Sequence, residues 1–241
     1  MAHTLPDYTT KYKTNKIYSA LDIAELAVRL GGVSRFDRRG NILFYDDFEG
    51  VRLDWTDNGT GTGHDIQLTT EKSYMGTQSC KLITGDTAGD NGAICKKIAY
   101  PYKTKMGLET TLTVPPSARE IGLELYLYDG TYEHKTSMRY HSYFKTVDIW
   151  DDTGNWNSVM DVPEAYLDVK TWNIMKLVVD FEKEEYVRVL FNEREVDLSG
   201  LQYSKSSNTD APYVKIACFF TSVVYTNIIG YVDNMILTQN E

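Results

Sequence analysis

From Asn41 onward, apolar and polar side chains alternate with a period of two, and this repeat decides the fold class. Leu108, Thr110, Leu112 and Val114 alternate with Glu109, Thr111 and Thr113. Ile121, Leu123, Leu125 and Leu127 alternate in the same way with Gly122, Glu124, Tyr126 and Tyr128. Successive side chains of an extended chain point to opposite faces, so each run presents one face to a core and leaves the other half-buried. Further strands are predicted at 41–48, 65–70, 79–84, 93–99, 135–144, 146–150, 172–181, 185–191, 213–224 and 228–238. Turn signals separate them, among them Tyr128-Asp129-Gly130, the run Asp151 to Asn155, and Asn192-Glu193-Arg194. Parallel pairing needs long crossovers, and no helix lies between these runs. The expectation for residues 41–241 is therefore an all-β, antiparallel jelly-roll sandwich.

Residues 1–40 read differently. Met1 to Asn15 is polar, carries Tyr8 and Tyr12, and lacks the apolar surface to fold alone. One short helix follows Ile17, with Ser19 as N-cap and Gly31-Gly32 as its stop. Leu21, Leu26 and Leu30 are part of an apolar coverage too wide for a helix this short to leave in water. The expectation is an extended arm and a docking helix at 1–40, gripping another surface through Tyr8, Tyr12, Ile17, Leu21, Leu26 and Leu30.

Charge and composition narrow the function classes. The 241 residues hold 25 basic and 34 acidic side chains, a net charge of −9. A nucleic-acid surface needs clustered Lys and Arg, so no nucleic-acid partner is expected. No apolar run is long enough for a membrane span, and no secretory signal segment is expected at the N-terminus. The three cysteines are too few for a disulfide framework; Cys80 and Cys218 read as small core residues. No Cys/His spacing suggests zinc, and His134 and His141, seven apart, point to opposite faces of an unbroken strand. The acidic, glycine-rich run Asp86 to Gly92 reads as a surface loop.

Parity also assigns a non-core face. It holds Glu124, Tyr126 and Tyr128 on one strand, Arg139, His141 and Tyr143 on the next, and Tyr213 and Lys215 on a third. A sheet face with several Tyr plus Arg, His and Glu suits stacking on sugar rings and hydrogen bonding to their hydroxyls. The same composition suits a protein partner, and Tyr is favoured in strands wherever it sits.

Two resemblances add to this reading. The segment from Phe44 through Asp47-Phe48-Glu49-Gly50 with nearby Trp55, the turn at Tyr74 to Leu82, and the closing Gly230 to Leu237 with Asp233-Asn234 together resemble the concanavalin A-like and carbohydrate-binding-module jelly rolls. That resemblance implies a structural calcium ion shared by the first and last strands, with Glu49, Asp233 and Asp47 as ligands. Its enzymatic members, the laminarinase-like glucanases, place Glu-x-Asp-x-Glu or Glu-x-Asp-x-x-Glu on one strand so that two carboxylates flank one bond. The nearest segment, Val147 to Asp151, has no Glu, and Glu124 lacks a second carboxylate at i+2, so no enzyme is expected.

The leader with Phe36 to Asn41 is similar to leaders of structural proteins of tailed bacteriophages. It implies a non-enzymatic virion protein, made in the host cytoplasm, joined to capsid or other virion proteins and to copies of itself. The alternative is a carbohydrate-binding module acting through the Tyr-rich face.

Overall fold

The computed structural model describes residues 36–37, 39–99, 102–163, 168–223 and 225–241. Among them the chain forms sixteen strands and no helix. The first eight are β1 (Asn41–Asp46), β2 (Thr56–Asp57), β3 (Asp65–Thr69), β4 (Ser79–Ile83), β5 (Asn91–Ile98), β6 (Lys105–Thr113), β7 (Ala118–Tyr128) and β8 (Tyr132–His141). Then follow β9 (Thr146–Trp150), β10 (Trp156–Asp161), β11 (Trp172–Asp180), β12 (Glu185–Phe191), β13 (Arg194–Asp197), β14 (Ser204–Ser207), β15 (Tyr213–Ser222) and β16 (Ile229–Gln239).

All pairings are antiparallel and make two sheets of eight strands. The first runs β13-β12-β11-β6-β16-β4-β3, with β1 pairing the second half of β16 beyond β4. The second runs β10-β9-β8-β7-β15-β5-β2, with β14 pairing the first half of β8 beyond β9. This is the jelly-roll sandwich that the alternation predicts.

The core lies between the sheets. Met106, Leu108 and Leu112 of β6, Met175, Leu177 and Val179 of β11 and Val232 of β16 come from the first sheet. From the second come Ile121, Leu123, Leu125 and Leu127 of β7, Met138 and Tyr140 of β8, and Ile216, Cys218 and Phe220 of β15. These are the apolar members of the alternating runs, and their burial is the main stabilising term. All three cysteines are buried and unbridged.

Two expectations need correction. The strand around Leu108–Val114 is not half-buried: in β6 Glu109, Thr111 and Thr113 are buried as well. Their polar groups are paired, as burial demands. Lys176, the register partner of Glu109, sits with its Nζ 3.5 Å from Glu109 Oε2 and 2.7 Å from Glu241 Oε1. Thr111 Oγ1 donates to the Asp233 carbonyl at 2.8 Å, and Thr113 Oγ1 accepts the Tyr231 N–H at 3.0 Å.

The second correction concerns β8, which ends at His141 and not at Phe144. The chain reverses at 142–145, where the Lys145 N–H donates to the His141 carbonyl at 2.8 Å with Lys145 at φ 57°. β2, β10, β13 and β14 carry no alternation that predicts them. All four are short and sit at sheet edges, where residues such as Asn157, Ser158 and Ser204 to Ser207 carry little strand propensity.

His134 and His141 do lie on opposite faces of β8. His134 is wholly buried against Phe181 and Tyr203. Its Nδ1 is 3.1 Å from Tyr203 Oη and its Nε2 3.1 Å from Asp129 Oδ2. Asp129 in turn pairs with Lys103 at 2.7 Å and accepts the Thr131 and Tyr132 N–H groups that set the β7–β8 turn. Burial lowers the His134 pKa from 6.5, an effect that the Asp129 contact only partly opposes. A base whose pKa is depressed on folding resists the proton that the unfolded chain accepts, so stability is lost as pH falls through about 6.5. Urea denaturation is expected to show wild-type stability declining from pH 7 to pH 5, with His134→Phe flattening that slope. An unchanged slope in the variant counts against this role.

Candidate functional site

The outward face of the second sheet gathers the polar and aromatic residues that parity assigned to it, because β8, β7 and β15 are neighbours in register. Tyr213 pairs with Tyr128, Lys215 with Tyr126, and Ala217 with Glu124. On the other side Glu124 pairs with Ser137, Tyr126 with Lys135 and Gly122 with Arg139. Glu124, Tyr126, Tyr128, Arg139, His141, Tyr213 and Lys215 therefore share one surface. Tyr143 does not: it lies in the 142–145 turn, almost fully exposed, with its ring edge-on to Phe144. Extending β8 by three residues produced that misassignment.

The face has a floor and walls. Gly122, Ser137, Ala217 and Ala93 are small and buried and lie in the middle of the sheet. Gly122 has no room for a side chain, since a Cβ there would stand 2.6 Å from the Met138 carbonyl and 2.5 Å from the Phe219 ring. Tyr126 and Tyr128 are buried too. Tyr128 stacks on Tyr213 with ring centroids 4.2 Å apart, and burial raises the pKa of both the Tyr126 and Tyr128 phenols. They are parts of the floor, not exposed platforms as the sequence suggested.

Two walls were missed. Trp150 closes β9 and pairs with Trp156, which opens β10; their indoles meet edge-to-face at 5.2 Å. Trp150 shares parity with Asp148, so its side was readable. Trp156 was not, because no strand was predicted after the Asp151–Asn155 turn. That turn is as expected, with Asp151 Oδ1 accepting the Thr153 and Asn155 N–H groups.

Cations lie over the rings. Lys135 Nζ is 4.5 Å from the Trp150 ring centre and 5.9 Å from that of Tyr126. Lys215 Nζ is 5.1 Å from the Tyr126 ring, Lys97 Nζ 4.4 Å from Tyr213, and the Arg139 guanidinium 4.2 Å from Trp156. Arg139 also bridges two acids, donating from Nε to Asp148 at 2.9 Å and from Nη1 to Glu120 at 2.8 Å. Lys215 reaches Glu124 at 3.8 Å. Glu120, Asp148 and Glu124 each have a cation partner on this face. His141 lies at the Arg139 end, paired with Glu120 and Thr146; burial and the Arg139 charge lower its pKa.

The expected metal residues sit elsewhere, where the chain's first and last strands meet. Glu49 accepts the Thr77 and Gln78 N–H groups at 2.8 and 2.7 Å, and Thr77 Oγ1 at 2.7 Å. Asp233 Oδ2 accepts the Tyr74 and Met75 N–H groups at 2.7 and 3.2 Å. Both acids thus hold the 73–78 loop. Gly76 is in the left-handed region at φ 72°, and a Cβ there would stand 2.4 Å from Glu49 Oε1. Asp233 Oδ1 is buried with no hydrogen-bond donor, and burial pushes that carboxyl up to about 6, with the Glu49 charge acting in the same sense. A buried carboxylate oxygen without a donor fits a hard cation with oxygen ligands. Asp47 does not join the pair: it accepts the Glu49 N–H at 3.2 Å, and among the described residues no three acidic, His or Cys side chains gather in metal-binding geometry. The docking residues Tyr8, Tyr12, Ile17, Leu21, Leu26 and Leu30 lie outside the described residues.

No protein-family model matches the sequence, and no curated protein matches it. Solved structures share its fold. An endo-β-1,4-glucuronan lyase from the fungus Trichoderma reesei superposes with a TM-score of 0.54 at 10% identity, covering 83% of this chain and 96% of that one. The cellulose-induced protein Cip1 gives a TM-score of 0.49 at 10% identity, covering 81% of this chain and 96% of its own. A Bacteroides ovatus mixed-linkage glucan enzyme of family GH16 gives 0.49 at 14% identity, covering 81% of this chain and 100% of that one. The first of these likenesses places the chain in the jelly-roll sandwich class.

The Arg139 bridge makes a stability prediction. Asp148 is nearly inaccessible, and losing its cation leaves a buried charge unmatched. Arg139→Met is expected to cost about 3 kcal/mol in denaturant unfolding, and adding Asp148→Asn to recover part of it. Equal losses in the single and double variants contradict the account.

Proposed function

We propose that this protein is a non-catalytic carbohydrate-binding module whose ligand lies across the outward face of the second sheet. The observation that carries the reading is the arrangement of Trp150, Trp156 and Tyr213 as partly exposed rings on the face that also holds the small residues Ser137 and Ala217, with the Phe219 ring lying over Gly122. A pyranose ring presents an apolar C–H face to such rings and its hydroxyls to the Ser, Glu, Lys and Arg groups between them. The Trichoderma reesei neighbour, named for its action on a glucuronan, is a polysaccharide-directed protein on the same fold. The absence of catalysis is supported by the carboxylates' commitments: Glu120 and Asp148 to Arg139, and Glu124 to Lys215. Virion attachment drew on the leader, of which residues 1–35 and 38 lie outside those described, and none of the similar structures supports it.

Affinity electrophoresis against a panel of soluble polysaccharides tests the reading. Retardation by at least one polymer is expected, with Trp150→Ala weakening it about tenfold or more, as loss of a buried aromatic contact does. No retardation by any polymer overturns it.

We also propose a structural calcium ion at the Glu49–Asp233 pair, with backbone carbonyls of the neighbouring loops completing its oxygen ligands. The ion neutralises the buried Asp233 carboxylate and ties the 73–78 loop, which both acids hold, to the first and last strands. Calcium at about a hundred times its dissociation constant adds about 2.7 kcal/mol to the folded state. The melting temperature of chelator-treated protein is therefore expected to rise on adding calcium, and Asp233→Asn to abolish that rise. A wild-type melting temperature indifferent to calcium ends the proposal.

A further inference from the structure

We infer that the saccharide bound on this face is negatively charged, carrying carboxylate or sulfate groups. The inference rests on the carbohydrate-binding reading and adds the chemical class of the ligand. Its basis is what already occupies the rings. Trp150, Tyr126 and Tyr213 each carry a lysine ammonium 4.4 to 5.9 Å from the ring centre, and Trp156 carries a guanidinium. A cation over a partly dried aromatic face is held by about 1 kcal/mol. A neutral sugar stacking on such a ring must push the ammonium aside and gives it only hydroxyls in exchange. An acidic sugar gives it an anion: the C–H face of the pyranose takes the ring, and the carboxylate or sulfate at its edge takes the displaced ammonium as a charge-assisted hydrogen bond.

The charge ledger of the face identifies which cations are available. Arg139 is spent on Glu120 and Asp148, and Lys215 is shared with Glu124. Lys135 and Lys97 form no ion pair with any described carboxylate and rest on rings alone. Glu133, beside Lys135 on β8, accepts from Asn208 Nδ2 at 3.3 Å. Two ammonium groups that no described carboxylate pairs therefore stand over rings on one face, with Glu133 the nearest acid to Lys135 along β8. An ammonium that rests on a ring without a carboxylate is free to exchange that contact for an anionic group of a ligand. The two lysines flank the Tyr126–Lys215 register pair, Lys135 on β8 and Lys97 on β5, so an acidic chain crossing the strands meets both. Ring stacking, not charge alone, selects a saccharide over other polyanions.

The test measures binding of the full chain, by calorimetry at low and at physiological salt, to four kinds of polymer. These are polyuronates (polygalacturonate and polyglucuronate), a sulfated dextran, neutral xylan and β-glucan, and inorganic polyphosphate as a charge-only control. Expected is binding to a polyuronate, to sulfated dextran or to both, at least about tenfold tighter than to the neutral polymers, and weakened by salt. Whichever acidic polymer binds more tightly identifies carboxylate or sulfate as the source of charge. Lys97→Gln with Lys135→Gln is expected to reduce that affinity about tenfold or more while leaving the melting temperature in place. Should the double variant unfold, Lys97→Gln alone, at an exposed position, carries the same comparison with a smaller loss.

Binding of neutral polymers as tight as or tighter than that of acidic ones, unchanged by the lysine variants, overturns this inference and leaves the carbohydrate-binding reading intact. Polyphosphate bound as tightly as the acidic saccharides overturns it too, because charge then acts without the rings. No binding to any polymer removes both readings.

Discussion

The pairing of two sheets over one apolar layer is the constraint from which the rest of this molecule follows. Each long strand must give every second residue to the core, and β7 does so with Ile121, Leu123, Leu125 and Leu127. The intervening positions are then fixed in direction by the same geometry: Gly122, Glu124, Tyr126 and Tyr128 cannot avoid facing outward. A binding face on this fold is therefore a by-product of core burial. Its chemistry is free to vary while its placement is not.

That constraint explains why so much of the fold was legible. Period two in the runs at 105–113, 118–128 and 213–222 named both the strands and their core sides, and the turns at Asp129-Gly130 and Asp151–Asn155 lie where Asp side chains cap backbone amides. What escaped had physical causes. The end of β8 is set by Lys145 in the left-handed region and by a hydrogen bond back to His141, neither of which leaves a mark on an apolar pattern. The edge strands owe their existence to a neighbour's unpaired amides more than to their own residues. The double burial of β6 depends on Lys176 of β11 reaching Glu109, with Glu241 from the end of the sequence holding the same ammonium.

The candidate site shows the same division. Parity placed Glu124, Tyr126, Tyr128, Arg139, His141, Tyr213 and Lys215 on one face, yet it carries no information about depth. Tyr126 and Tyr128 became floor because Tyr213, Lys135 and Lys215 cover them from adjacent strands. The walls, Trp150 and Trp156, belong to a hairpin whose second strand was invisible. Tertiary register turned a stripe of tyrosines into a largely buried layer with tryptophans on the neighbouring strands.

The first and last described strands meet in the other sheet. Glu49 follows β1 and Asp233 lies at the bulge of β16, where the pairing with β6 slips between Asp233 and Ile236 and Asn234 takes φ 53°. The bulge lets the strand turn the Asp233 carboxylate toward the 73–78 loop while its carbonyl still accepts the Thr110 and Thr111 hydroxyls. Tyr45 of β1 donates to Asn234 Oδ1 at 2.7 Å, so the first strand is fastened to the same irregularity. A sandwich closed by its terminal strands needs a lock at this seam, because β1 and β4 each hold only half of β16. The two carboxylates form that lock through backbone amides, and the orphaned Asp233 oxygen leaves it one partner short. The first sheet thus concentrates the polar groups of the closing seam, and the second sheet carries the outward face of rings and cations.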